Sequence, residues 1–225
     1  MKHGLELVLF DCDGTLTNSL HGAMDSFLHG FSAVGAQEIR PEEIIAWYGI
    51  SADKIFQRLL PHRPDHAVAG FEAFLEHQRS QIQSVTLHAG MAEILQSIDA
   101  AGIPMGVVTG RHRSDLHIMF EHFGLHPYFD VIVTDDQVSK PKPSPEGLLK
   151  ALQHGAWQAE KSVYIGDSAS DILAAKAINM SAIAVCWDDH ADVDALRRAE
   201  PNVMVSSASE LRQVLVELGV LSGSN

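Results

Sequence analysis

Short runs of successive apolar residues alternate with longer amphipathic stretches along this chain. The runs at 5–10, 104–109, 131–134, 162–165, 182–186 and 203–205 read as strands. Several are apolar at successive rather than alternate positions, the pattern of strands buried on both faces. Between them the apolar spacing becomes helical. Segments 90–101, 114–123 and 144–154 stop at Gly102, Gly124 and Gly155, and Pro145 lies near the first turn of the third. Segments 169–178 and 208–218 follow later strands. Regular strand–helix alternation predicts an α/β fold with a parallel sheet covered on both faces.

The interval 20–87 breaks that rhythm. It shows no convincing strand and reads as consecutive helices at 23–34, 41–47, 51–60 and 65–83, with Pro61 and Pro64 separating the last two. The expected organisation is a core of 1–19 and 88–225 carrying an all-helical insertion of 20–87. Neither repeats nor a low-complexity linker interrupt it.

Composition narrows the partners. The 225 residues are 46% apolar, enough to fill a core. With 16 basic and 29 acidic residues the net charge is −13, a surface that does not attract nucleic-acid backbones. If such a protein handles phosphates, it must concentrate positive charge locally. Cys12 and Cys186 both fall in apolar runs and read as buried, reduced thiols. No signal peptide is evident at the amino terminus, and no stretch approaches the ~20 apolar residues of a membrane span. These features predict a cytoplasmic protein without membrane contact, a monomer by default with a dimer as the alternative.

In open α/β sheets ligands bind at the carboxyl ends of strands. There the chain places Asp11 and Asp13, then Thr109-Gly110-Arg111, then Gly166-Asp167 with Asp171 four residues on. Between the later strands runs Ser139-Lys140-Pro141-Lys142-Pro143-Ser144-Pro145. Each has a plainer reading: aspartate before glycine suits a turn, and Asp167 suits a helix N-cap. Together they put several like charges at one sheet edge, for which a cation is the usual remedy.

The stretches Asp11-Cys12-Asp13-Gly14-Thr15-Leu16, Thr109, Lys142-Pro143-Ser144-Pro145 and Gly166-Asp167-Ser168-Ala169-Ser170-Asp171 occur in that order. The chain thereby resembles the haloacid dehalogenase superfamily over nearly its whole length, and within it the phosphoglycolate phosphatase and β-phosphoglucomutase branch. The resemblance implies a Rossmann-like core with a helical cap after the first strand, and a Mg²⁺-dependent phosphatase of a small phosphorylated metabolite. It implies Asp11 as nucleophile, forming an aspartyl-phosphate, and Asp13 as general acid and then base. Thr109, with the Gly110 N–H, would donate to the phosphoryl group, and Lys142 would balance charge. The implied metal ligands are Asp11, the Asp13 carbonyl and Asp167, with Asp171 in support, directly or through water. Asp13 also separates reactions, because dehalogenases and phosphonatase-like members lack an acid there and an oxygen leaving group needs a proton.

Other positions carry alternatives. Lys140 and Lys142 each begin a Lys-Pro pattern, and Lys142 fits better because a helix follows it. Arg111 stands where many relatives have lysine, and either touches phosphate or lies on the surface. In the cap, Trp47 and Lys54 are candidate substrate contacts, with burial of Trp47 and exposure of Lys54 as the alternatives; Tyr48 shares the reading of Trp47. Tyr48 and Ala52 replace the basic residue and arginine of mutase-like members, which weakens a mutase reading. His29, His62, His66 and His77 show no metal spacing. Strand alternation turns Cys12 away from the site. Asn179 replaces a common glycine at a helix end, where it tolerates the left-handed conformation. The run Trp187-Asp188-Asp189-His190 either shapes the site entrance or faces solvent. A phosphomutase, an inorganic pyrophosphatase and a phosphate- or metal-binding regulatory protein are the alternative functions.

Overall fold

The computed structural model describes residues 4–188 and 191–222. Its centre is β1 (Leu7–Phe10), four successive apolar residues buried on both faces. Strands β4 (Met105–Val108) and β6 (Ser162–Gly166) flank β1, and β5 (Val131–Val133), β7 (Ser181–Val185) and β8 (Val203–Val205) extend the sheet. Among the described residues this gives a six-stranded sheet of order β5-β4-β1-β6-β7-β8, every pair parallel. The pairing of Phe10 with Val107 and Ile165 brings three strand ends to one level. The chain runs outward from β1 through β4 and β5, then crosses back to β6 and runs outward on the other side, leaving a crevice at the carboxyl end of β1.

Two cores line the sheet because side chains alternate between its faces. Val8, Phe10 and Cys12 join α5 (Met91–Ala100), α6 (Arg113–Phe123) and α10 (Ala208–Glu217) on one face. Leu7, Leu9 and Tyr164 join α7 (Glu146–Gly155), α8 (Ala169–Lys176) and α9 (Val193–Ala199) on the other. Helix α9 has no counterpart in the sequence reading. Its signal is short: apolar Val193, Leu196 and Ala199 behind Asp192, whose side chain accepts from the Ala195 N–H at 2.9 Å. Cys12 lies in the core as periodicity predicts, whereas Cys186 is only half-buried, just beyond the end of β7. Asn179 adopts φ 56°, the left-handed conformation foreseen for it.

Between β1 and α5 lie α1 (Leu20–Ala33), α2 (Pro41–Ile45), α3 (Ala52–Leu59) and α4 (Pro64–Gln81). They have a core of their own, built on rings: Phe27 and Phe74 lie 4.7 Å apart, Phe31 and Phe56 4.3 Å. Ile118 of α6 joins this core, so the helices rest on the sheet-bearing part. The interval is not free of strands. Thr86–Leu87 forms β3, antiparallel to β2 (Thr17–Asn18), and clips together the two crossings into and out of the helical segment. A two-residue strand carries too little period to be read from sequence. No helix among the described residues is long and apolar enough to cross a membrane.

Candidate active site

Asp11 follows β1 directly, and its N–H still bonds the Ile165 carbonyl at 2.8 Å as the sheet would. The chain then turns sharply. Leu16 and Thr17 both donate to the Cys12 carbonyl, and Gly14 donates to Thr17. Gly14 has φ 68°, and a Cβ there would lie 2.2 Å from Oδ2 of Asp167. Only glycine lets this loop approach the end of β6 so closely. Thr15 spans the gap, its hydroxyl donating to Asp167 Oδ1 at 3.0 Å.

Asp171 stands in the first turn of α8 and closes a capping box, accepting from the Ser168 N–H at 3.0 Å and hydroxyl at 2.6 Å. Its other oxygen lies 2.6 Å from Lys142 Nζ, and the same ammonium is 3.0 Å from Asp11 Oδ1. Tyr164 completes the support. Its hydroxyl donates to the Val108 carbonyl at 2.6 Å, accepts from Lys142 at 3.2 Å and lies 3.1 Å from Asp171. Lys142, not Lys140, therefore reaches the carboxylates. Lys140 has an exposed side chain, and its N–H is fixed by Glu146 at 2.9 Å.

Oxygens of Asp11, Asp167 and Asp171 all lie within 4.8 Å of one another. Burial pushes Asp11 up to about 7; Asp171 and Asp13 add to the rise and Lys142 opposes it. Burial, then Asp11 and Asp171, lift Asp167 well above the usual carboxylate range. Against burial, Asp11 and Asp171 hold Lys142 firmly protonated. A buried group of oxygens that resist ionising side by side can bind a divalent cation, and the all-oxygen set suits a hard one. The close approach of the Gly14 loop to Asp167 serves the same end, since a side chain there would displace a carboxylate of the group.

Asp13 has a different partner. Arg111 grips it from two sides, Nε at 2.8 Å from Oδ2 and Nη2 at 2.6 Å from Oδ1, and the Ser19 hydroxyl donates to it as well. Burial would raise Asp13, but Arg111 outweighs it and holds the carboxyl below its ordinary value. Arg111 is 7% exposed, so it is no surface residue. Its Nη1 meets Asp115 Oδ1 at 2.6 Å, an i,i+4 pair that the sequence reading did not anticipate. Thr109 is buried beside it, with Oγ1 accepting from the Arg111 N–H at 3.2 Å. Next to it, a Cβ on Gly110 would come 3.3 Å from the Gly49 carbonyl, so this loop touches the helical segment.

Asp11, Asp13, Gly110, Arg111, Lys142 and Asp167 border one cavity of about 670 Å³ between the sheet edge and α1–α4. Tyr48 and Gln78 border it too. Trp47 and Lys54 do not. Trp47 is 37% exposed, with the Arg58 guanidinium 4.2 Å above its ring. Lys54 bonds Asp135 at 2.7 Å, and the same carboxylate accepts from the Ser51 N–H at 3.0 Å. This clasp joins the helical segment to the loop after β5, so the sequence reading of Lys54 as a substrate contact gives way to a structural tie. Trp187 and Asp188 lie by His88, away from the cavity, at 5.9 Å between rings and 3.6 Å respectively. Asp189 and His190 lie outside the described residues.

The family of haloacid dehalogenase-like hydrolases matches residues 8–185. A protein named Probable phosphatase IndB, from Dickeya dadantii, is 32% identical over 91% of this chain and 91% of its own. Pyrophosphatase PpaX of Bacillus pumilus is 29% identical over 94% and 96%. A crystal structure titled as a predicted phosphoglycolate phosphatase, from Haemophilus somnus, superposes with a TM-score of 0.80 at 19% identity, over 95% of this chain and 99% of that one.

Proposed function

The chain belongs to the haloacid dehalogenase-like hydrolases, as an enzyme of their phosphatase kind, and from that premise we propose a Mg²⁺-dependent phosphatase of a small phosphorylated metabolite that works through an aspartyl-phosphate on Asp11. The observation that carries this reading is the pairing of Asp11 with Lys142 on the cavity floor, with a second carboxylate, Asp13, two residues on.

Each step then has a residue. Asp11 forms the bond to phosphorus as the bond to the leaving oxygen breaks. Asp13 gives that oxygen its proton. Water next attacks phosphorus, Asp13 takes its proton, phosphate departs and Asp11 is restored. Arg111 favours ionised Asp13, the form that accepts the proton from water. An anionic phosphoryl group arriving beside Asp13 raises its affinity for a proton and favours the acid form. Lys142, the hydroxyl of Thr109 and the Gly110 N–H would offset charge on the phosphoryl oxygens.

The carboxylates of Asp11 and Asp167 and the carbonyl of Asp13 would hold Mg²⁺, which when bound supplies charge that lets one anion approach another. Both oxygens of Asp171 are already engaged, by Ser168 on one side and by Lys142 and Tyr164 on the other. We therefore assign Asp171 to holding Lys142 rather than to direct ligation. Residues 20–87 act as a cap over the site, with the cap–core clasp at Asp135 setting its pose. The test is phosphate release from a broad panel of phosphate esters with Mg²⁺. Asp11→Asn should lower it by about 10³-fold or more while leaving the circular dichroism spectrum unchanged. Full activity in that variant, or in excess chelator, would overturn the reading.

A further inference from the structure

The cavity over Asp11 is chemically two-sided. Its floor is ionic, but Leu20, Met24, Phe27, Ile45, Ile55 and Phe74 wall it from the cap. At about 670 Å³ it has the size of a pocket that encloses a whole small molecule, well beyond what a phosphoryl group fills.

Among the described residues, no lysine or arginine of the cap borders the cavity. Among the described residues, Lys142 and Arg111 are the lysine and arginine that border the cavity, and each already faces two carboxylates. The cap's lysine and arginines do not line the cavity: Lys54 turns to Asp135, Arg58 to Trp47, Arg63 to the Val34 carbonyl and Arg40 to Glu43, and Arg79 is exposed outside the cavity. Away from the ionic floor, a second anionic group on a substrate would meet apolar carbon, Asp115 or neutral polar groups such as Tyr48, Gln78 and Ser170, and lose its hydration without a counter-charge. Besides Tyr48, the polar side chain that the cap brings to the cavity is Gln78 of α4. It is 6% exposed, and its Nε2 has no hydrogen-bond partner among the described residues. A buried donor without an acceptor is costly, and a ligand acceptor would relieve it.

We propose that the substrate is a phosphomonoester whose alcohol part is uncharged and largely apolar, of about ring size, with one acceptor that meets Gln78 Nε2. The inference rests on the phosphatase reading above. Pyrophosphate and phosphoglycolate, the compounds in the relatives' names, carry a second anion and no apolar surface to bury.

The experiment compares kcat/KM with Mg²⁺ for n-alkyl phosphates of increasing length, benzyl phosphate, 4-acetylbenzyl phosphate, 2-phosphoglycolate and pyrophosphate. The expected rise is about fourfold per added methylene until the cavity fills. Benzyl phosphate should exceed 2-phosphoglycolate at least tenfold (~1.4 kcal/mol). Ile45 is 54% exposed, so Ile45→Lys adds a cation to the wall without disturbing a core, and should shrink or invert that ratio. Gln78→Leu should lower the value for 4-acetylbenzyl phosphate more than for benzyl phosphate. A preference for 2-phosphoglycolate or pyrophosphate, a flat response to chain length, or an unchanged ratio in Ile45→Lys overturns the inference and leaves the phosphatase reading standing. Absence of Mg²⁺-dependent release from every compound overturns both.

Discussion

Lys142 stands 3.0 Å from Asp11, and the same ammonium holds Asp171 at 2.6 Å, so one cation is shared by two buried carboxylates from different elements. Replacing it by an apolar chain of similar length would strand both charges. Lys142→Met should cost about 3–5 kcal/mol of stability, since removing one partner of a buried pair leaves the other unpaired. Urea unfolding without metal measures this, and Mg²⁺ should recover part of the loss. Turnover should fall about 10²–10³-fold, the scale of losing one positioned donor of charge stabilisation.

Acidity supplies a second expectation. In the folded, metal-free protein Asp11 is raised from 3.8 to about 7, chiefly by burial, and Asp167 is raised well above its ordinary value. A carboxyl raised by folding stabilises the fold when protonated. That contribution is complete below pH ~4 and is lost as pH rises through about 7. Asp13 is lowered, so its contribution is already complete above pH ~4 and does not change over this range. The melting temperature in chelator should therefore fall between pH 5 and pH 8 relative to the same protein with Mg²⁺. The gap between the two curves should widen with pH, because ligands bind a cation when deprotonated. Parallel curves would contradict the assignment of Asp11 and Asp167.

Gly14→Ala tests the approach of the loop to Asp167. The φ of 68° and a Cβ 2.2 Å from Asp167 Oδ2 leave the new methyl no room. Stability should drop by about 1–3 kcal/mol, the cost of a non-glycine residue held in a sparsely populated conformation. The sharper readout is the Mg²⁺ concentration for half-maximal activity, which should rise at least tenfold as Asp167 is displaced.

Asp135 separates a clasp from a substrate contact. It accepts from both Ser51 and Lys54, while Lys54 alone would be the contact if the substrate were what it serves. Asp135→Ala should cost about 1–3 kcal/mol by orphaning a buried N–H. Lys54→Met should cost less, about 0–1 kcal/mol, because its side chain is partly exposed. Both should change KM in the same direction by altering the cap's pose. A large KM effect confined to Lys54→Met would restore the substrate-contact reading.

Much of this protein is legible along the chain. Apolar runs mark all six strands of the main sheet, because a strand buried on both faces must be apolar at every position. The four cap helices follow from their spacing and the prolines between them. Legibility fails where an element is too short to show a period, as in β3, or where a brief helix depends on one cap residue, as in α9. At the site the motifs mark Asp11, Asp13, Lys142 and Asp167, because each sits at a strand end or a helix start that the pattern locates.

The sequence by itself determined which carboxylates gather at one sheet edge, because strand ends in a parallel sheet must converge. Only the tertiary structure decided how their charges are shared. Arg111 looked like a residue for phosphate or solvent, yet it is buried between Asp13 and Asp115. Lys54 looked like a cap contact, yet it ties the cap to Asp135. The partner of a long cationic side chain depends on which carboxylate lies within reach in space, and sequence spacing records that only for near neighbours. The same holds for the cavity: the apolar character of its cap wall and the placing of the Gln78 amide in it arise from helices packed together, not from any one of them.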